Sequence, residues 1–398
     1  MAIVSAREVI GIGMQGNIGS EAGEYNIVPV DSGSFSASET YEQILETGRR
    51  GTDAMDYNAF QGVGSTEISF DFPMMYGALA GNNNTGSVLG ILLRNILGTG
   101  GPAATASEGS ATAAEQRNAC RTEKNGSAKT AFNTWFRLGK AQEYLTVCRN
   151  LIGGTGDAHY KGCRVTELTI NSNAGEGAVT CSASLTGMTP TVGTGETVVT
   201  TKTLSNTLAL GYQNTLEATA EYKPYLLGTL LYHADDRNVL NRIISFSVTL
   251  SRDASPVYTM SNAKTYNDLY LGPLSVTWNA VAEISNTELA AIRDNTAIVP
   301  SGVTKKTIIS FSQGTLNDND ERSLLIGIGS SSPYEAPLEL DTSGDYATVS
   351  ISGRALTTNA AMPLSGDDYD SQDATNRSPI EIQITEAGHA TGTPPTYV

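Results

Sequence analysis

Apolar and polar residues alternate strictly over much of this chain. Ile68, Phe70 and Phe72 share one side of an extended segment, and Glu67, Ser69 and Asp71 share the other. Val179, Cys181, Ala183 and Leu185 oppose Thr180, Ser182 and Ser184; Ile244, Phe246, Val248 and Leu250 oppose Ser245, Ser247, Thr249 and Ser251. The same alternation places Leu274 with Val276 and Trp278, Val349 with Ile351, and Ile380 with Ile382 and Ile384. A period of two, with one apolar face and one hydroxyl-rich face, predicts antiparallel sheets that cover a core on one side only.

Helix signals are few. Ser87 to Leu97 is the best, with Ser87 placed to cap its start and Gly98 to stop it; Asn286 to Asp294 is the second, capped by Asn286 or Ser285. Between these elements lie Gly-, Ser- and Thr-rich stretches. Residues 99–129 read as a long mobile loop, 187–207 as the main boundary, 356–378 as an Asp/Ser-rich loop, and 387–398 as a flexible tail.

The two halves share an order of parts. In the first, a strand at Ser65 to Phe72 precedes the Ser87 helix, and strands follow near Trp135, Tyr144 and Val165 before one ending at Gly187. In the second, Leu274 to Ala282 precedes the Asn286 helix, and strands at Thr307 to Ser312 and Ser323 to Ile328 lead to one ending at Gly353. This order reads as a degenerate duplication. The expected plan is an N-terminal arm (1–45), a first β-domain (46–195), a second (196–356) and a C-terminal extension (357–398).

Composition narrows the function. The 398 residues can bury a large core, and the charged fraction of 17% is too low for a chain kept unfolded by charge. Forty-one glycines suit many turns, and 17 tyrosines against two tryptophans suit half-buried strands. A net charge of -16 argues against gripping nucleic acid through its phosphates, though not against letting it pass. No run approaches the roughly 20 apolar residues of a membrane helix, and the N-terminus lacks the basic-then-apolar pattern of a secretory leader. That pattern of absences reads as a soluble chain made in a cytoplasm.

Chemistry-bearing motifs fail on context. Gly11, Gly13 and Gly16 have dinucleotide-fingerprint spacing, but the ten residues between Gly16 and Ile27 leave no room for a crossover helix. Sharp turns in an N-terminal arm are expected there instead. In Gly126-Ser127-Ala128-Lys129-Thr130, Ala128 stands where a phosphate loop needs Gly. The acidic runs Asn317 to Glu321 and Asp367 to Asp370 have Ser323 and Asp373 where a calcium loop needs Gly.

His159, His233 and His389 lie apart, and Arg49-Arg50 and Lys305-Lys306 are the only basic pairs of note. The cysteines, Cys120, Cys148, Cys163 and Cys181, match no zinc spacing; Cys163 and Cys181 are either cross-strand neighbours or reduced core residues. No catalytic, cofactor-binding or metal-binding residue is expected.

One resemblance extends this reading. His159 to Ile170, then Asn173 to Gly187, resembles a signature of the tail tube proteins of long-tailed bacteriophages, with Gly162, Arg164, Val165, Leu168, Ile170, Val179, Thr180, Leu185 and Gly187 on its positions. Gly48-Arg49-Arg50 with the strand from Ser65, Leu240 to Arg252, and Asp345 to Gly353 are similar to other parts of that family, in the same order. The resemblance spans about residues 40–355; the 99–129 loop and the tail beyond Leu356 have no counterpart in it.

It implies a mainly β fold of two tandem barrel or sandwich domains, each with one short helix. It also implies a non-enzymatic subunit of stacked rings whose lumen conducts double-stranded DNA. Duplicated members form trimeric, pseudo-hexameric rings and single-barrel members form hexamers. Partners implied are further copies, the tail terminator, tape measure and distal tail proteins. The implied location is the virion tail, after assembly in the host cytoplasm. The competing reading is a β-sandwich adhesin or carbohydrate-binding module, which clustered aromatics at one loop end would favour; here the tyrosines are dispersed. Neither reading names the side chains that face a lumen or a neighbouring ring.

Overall fold

The computed structural model describes residues 8–22, 25–46, 58–74, 79–80, 83–84, 86–99, 104–106, 120–124, 131–139, 141–151, 157–173, 179–193, 221–223, 243–260, 265–283, 305–313, 322–333, 339–344, 346–356 and 378–387. These are mainly β. The chain begins β1 (Glu8–Gln15), β2 (Asn26–Val28), β3 (Ser36–Glu46), β4 (Asn58–Pro73), β5 (Leu79–Ala80) and β6 (Asn83–Asn84), followed by the helix α1 (Val88–Leu97). Next come β7 (Ala104–Ala106), β8 (Cys120–Lys124), β9 (Ala131–Phe136), β10 (Tyr144–Leu151), β11 (Asp157–Asn173), β12 (Val179–Gly187) and β13 (Thr191–Gly193). The rest are β14 (Glu221–Lys223), β15 (Ile243–Ser251), β16 (Ala254–Val257), β17 (Asp268–Leu271), β18 (Ser275–Glu283) and β19 (Lys305–Gln313). They continue with β20 (Arg322–Pro333), β21 (Glu339–Asp341), β22 (Thr348–Ala355) and β23 (Ile380–Ala387).

A first layer runs β3–β4–β12–β11–β15–β18–β22, with every pair antiparallel. Its apolar residues align across strands: Phe72, Cys181, Ile170, Val248, Trp278 and Gly353 form one row. The β11–β15 pairing carries this layer across the middle of the chain. A second layer runs β14–β19–β20–β23–β9–β8, with β7 added in parallel to β8. A third set, β2–β1–β10–β11–β13, shares β11 with the first. Gly162, at φ 62°, lies where β11 passes from β10 to β12. That left-handed conformation strains any residue with a Cβ. One contiguous core joins all three sets, with Phe70, Val147, Ile326 and Ile382 among its members.

The helix matches its sequence signals. The Ser87 hydroxyl accepts from the Gly90 N–H at 3.2 Å, and Gly98, at φ 88°, ends it by donating to the Arg94 carbonyl. Eight of its ten residues are buried, because it is covered on nearly all sides. Asn95, fully buried, ties it to the sheet by donating to Glu143 O and accepting from Val165 N, both at 2.7 Å.

The structure corrects some local expectations. Residues 8–15 form a strand between β10 and β2, not a turning arm, with Gly11 beneath Tyr25, where an added Cβ would stand 3.3 Å from the Tyr25 Cβ. The 99–129 stretch, expected as loop, contains β7 and β8. Cys163 lies opposite Leu145, and Cys181 opposite Ile170 and Phe72, so these two cysteines are not cross-strand neighbours. The second expected helix, Asn286–Asp294, lies outside the described residues, as do residues 357–377 and 388–398.

The last strand is held by charge. Arg137 Nη2 and Nε lie 2.7 and 2.9 Å from Glu381 Oε1, with both side chains fully buried. Ser378 reinforces the join by accepting from Leu138 N at 3.0 Å. Removing one member of such a pair leaves the other as an uncompensated buried charge. Glu381→Ala should therefore lower unfolding stability by about 3–5 kcal/mol in denaturant titration. Replacing both together, Arg137→Met with Glu381→Leu, should recover most of that loss.

Candidate assembly surface

Register converts the alternation of seven strands into one continuous polar face. Across it run Ser69, Ser184, Glu167, Ser251 and Ser275. The next row is Asp71, Ser182, Thr169, Thr249, Thr277 and Arg354, and the next Thr180, Asn171, Ser247, Asn279 and Ser352. The hydroxyls of Thr169 and Thr249 meet at 3.0 Å, a cross-strand bond that couples the two halves. Every residue of these rows is half-buried or exposed, whereas the opposite face is sealed in the core.

The charge of this face is one-sided. Among the described residues Glu67, Asp71, Glu167, Glu283 and Asp341 face solvent on it, and Arg354 is its one exposed basic side chain, Arg164 being buried. Carboxylates spread over a hydroxyl surface repel polyanions at long range and offer phosphates no cationic partner.

The layer has two borders. Among the described strands β3 pairs only with β4, so its outer backbone edge is open along Ser36–Glu46. Its distal half, with the matching part of β4, extends past the end of β12 as a two-stranded ribbon carrying exposed Tyr41, Ile44 and Leu45. A lone ribbon is marginal in water, and an open edge is a template for another strand. At the far border β22 meets β18 on one side and only short pieces, β21 and the end of β20, on the other. Leu340, Tyr346 and Leu356 are exposed there.

The residues singled out for other chemistry are accounted for differently. His159 is buried in β11, edge-on to Tyr25 at 6.1 Å, with Nδ1 3.6 Å from the Glu21 carboxylate. Cys148 faces it in register beneath Ala22 and Tyr25, away from solvent. Burial pushes the Cys163 thiol up to about 12 and raises that of Cys181 as well, so both stay protonated and unreactive. Among the described residues no three His, Cys, Asp or Glu side chains are grouped to hold a metal ion. His233, His389, Arg49-Arg50, Gly126 to Thr130, Asn317 to Glu321 and Asp367 to Asp370 lie outside the described residues.

Of the signature positions, Val165, Leu168, Ile170 and Leu185 point into the core, Thr180 lies on the polar face, and Gly162 makes the bend. Arg164 stacks over the Tyr144 ring at 4.1 Å to its centroid. Sequence reasoning missed Arg252, whose Nη1 donates to the Ile96 carbonyl at the helix end (2.9 Å) and whose Nε donates to Gly272 O (2.7 Å). Its sequence signals were its position directly after an alternating strand and at the end of the family-like segment Leu240 to Arg252, neither of which names its partners.

A wide sheet with a sealed apolar face, an acidic hydroxyl face and an open border is the form of a structural subunit. The model of the phage tail tube protein family matches residues 6–355, and the chain belongs to that family. It is thereby a structural subunit of a phage tail tube, found in the virion tail and assembling with its own copies and other tail proteins. No curated protein matches the chain as a relative.

The two faces should respond differently to truncation. Ser182→Ala and Ser247→Ala should each change the subunit's stability by no more than about 0.5 kcal/mol. Leu168→Ala and Leu185→Ala, on the sealed face, should each cost about 2–5 kcal/mol in the same denaturant titration.

Proposed function

We propose that the hydroxyl and carboxylate face of the first layer lines the lumen of the tail tube, and that double-stranded DNA passes along it from capsid to host. The observation that carries this reading is the aligned polar face itself: seven strands in register and, among the described residues, five solvent-facing carboxylates against one exposed guanidinium. A wall of hydroxyls stays wetted, and its carboxylates hold phosphates off, so passage is not arrested by binding.

The open edge of β3 in one copy pairs with the β21–β22 border of the next, and the ring closes when the last border is filled. The chain works as two tandem halves, 46–195 and 196–356, joined at the β11–β15 seam and framed by residues 1–45 and 357–398. Three such chains make a pseudo-hexameric ring, and rings stack into the tube between a terminator and the distal tail proteins, around a tape measure. Assembly takes place in the host cytoplasm, and no catalytic step is involved.

Negative-stain images of the purified chain should show rings or tubes with a central channel. A monodisperse monomer at high concentration, in low and high salt alike, would refute the reading. Reversing Glu67, Asp71 and Glu167 to Lys should leave assembly intact but make the tubes retain linear duplex DNA, with affinity falling steeply as salt rises. Tubes that ignore DNA before and after this reversal would remove the face from the lumen.

A further inference from the structure

Ten large apolar side chains are exposed among the described residues, and all fall in three places. Tyr41, Ile44 and Leu45 mark the β3 border, and Leu340, Tyr346 and Leu356 mark the β21–β22 border. The remaining four, Val257, Tyr258, Met260 and Tyr270, belong to the β16–β17 hairpin and its continuation. That hairpin connects β15 to β18 where Ser251 faces Ser275. Ser251 lies in register with Glu167 and Ser184, and β15 and β18 are both interior strands of the layer, so the hairpin stands beyond the strand ends and not at a lateral border.

The hairpin is held in place from below. Tyr266 and Leu269 are buried against Met188, Ile18 and Tyr144 of the first half. The Tyr266 hydroxyl donates to Gly162 O at 3.0 Å, the Tyr144 hydroxyl donates to Asp268, and Asn267 N donates to Val257 O at 2.8 Å. Arg252, just before β16, fastens its base to the end of α1. The outer side chains of the hairpin face solvent above this support: Tyr270 is 58% exposed and Met260 fully so.

Resting on the lumen reading above, we infer that this hairpin is the axial contact, seated on the facing rim of a second copy in the next ring. The two lateral borders already receive the neighbours within a ring. The third apolar patch lies at the strand ends, which in a closed barrel form its rim, and the surface opposite that rim in a tube of one repeating protein is another copy of the chain. Tyr258 and Met260 beyond the end of β16, with Tyr270 on β17, are side-chain types enriched in buried interface centres.

The test is the full-length double variant Met260→Glu, Tyr270→Glu, compared with wild type by sedimentation and negative-stain imaging. Wild type should give tubes; the variant should give rings of unchanged diameter, with the tube fraction reduced at least tenfold. Tubes as long and abundant as wild type would overturn the inference, as would collapse to folded monomers, which would make the hairpin a lateral contact. If wild type itself forms neither rings nor tubes, the lumen reading falls with it, so the two failures are distinguished by the wild-type sample. Should the variant melt at a lower temperature, a photo-crosslinking residue at position 260 decides. It should join copies in tubes and not in isolated rings, and crosslinking within isolated rings would overturn the inference.

Discussion

Half of the backbone donors and acceptors of a border strand point away from its one partner, and water or another strand must satisfy them. In this chain that constraint falls on β3, eleven residues of open edge continuing into a ribbon too narrow to stand alone. The same sheet is sealed beneath by Phe72, Ile170, Val248 and Trp278 and therefore cannot curl inward to hide the edge against its own core. An edge of that length, with exposed Ile44 and Leu45 beside it, is a template for a further strand.

The polar face follows from the same geometry. Because side chains alternate at a period of two, a register that seals five apolar side chains and Gly353 in one row necessarily lines up Ser182, Thr169, Thr249 and Thr277 on the reverse. Core packing and surface chemistry are thus set by one choice of register. A one-residue slip anywhere would place hydroxyls in the core and Leu or Val on the face that meets water.

Much of this could be read from residues alone, and the exceptions have physical causes. β4, β12, β15, β18, β20, β22 and β23 announce themselves by alternation, and α1 by its Ser87 cap and Gly98 stop. β1 did not, because Gly11 and Gly13 occupy strand positions where glycine's turn preference is overridden by close packing, under Tyr25 for Gly11. β16 and β17 were hidden by their brevity and by Pro256, tolerated in a two-stranded edge. The Arg137–Glu381 pair joins residues 244 positions apart, and no local pattern signals such a partner. Alternation shows that a strand has two faces; which face meets a core and which a channel depends on the neighbours it acquires.

The β11–β15 seam has a kinetic consequence. It is a strand-to-strand joint of the kind proposed between chains, yet here both strands belong to one polypeptide. Each such joint forms at the high effective concentration of a tethered pair rather than by diffusion of separate molecules. In the proposed ring of three chains, half of the six seams would thereby be complete before any two molecules collide. Fewer encounters then separate a pool of free subunits from a closed ring, and fewer half-built arcs persist to stick to one another.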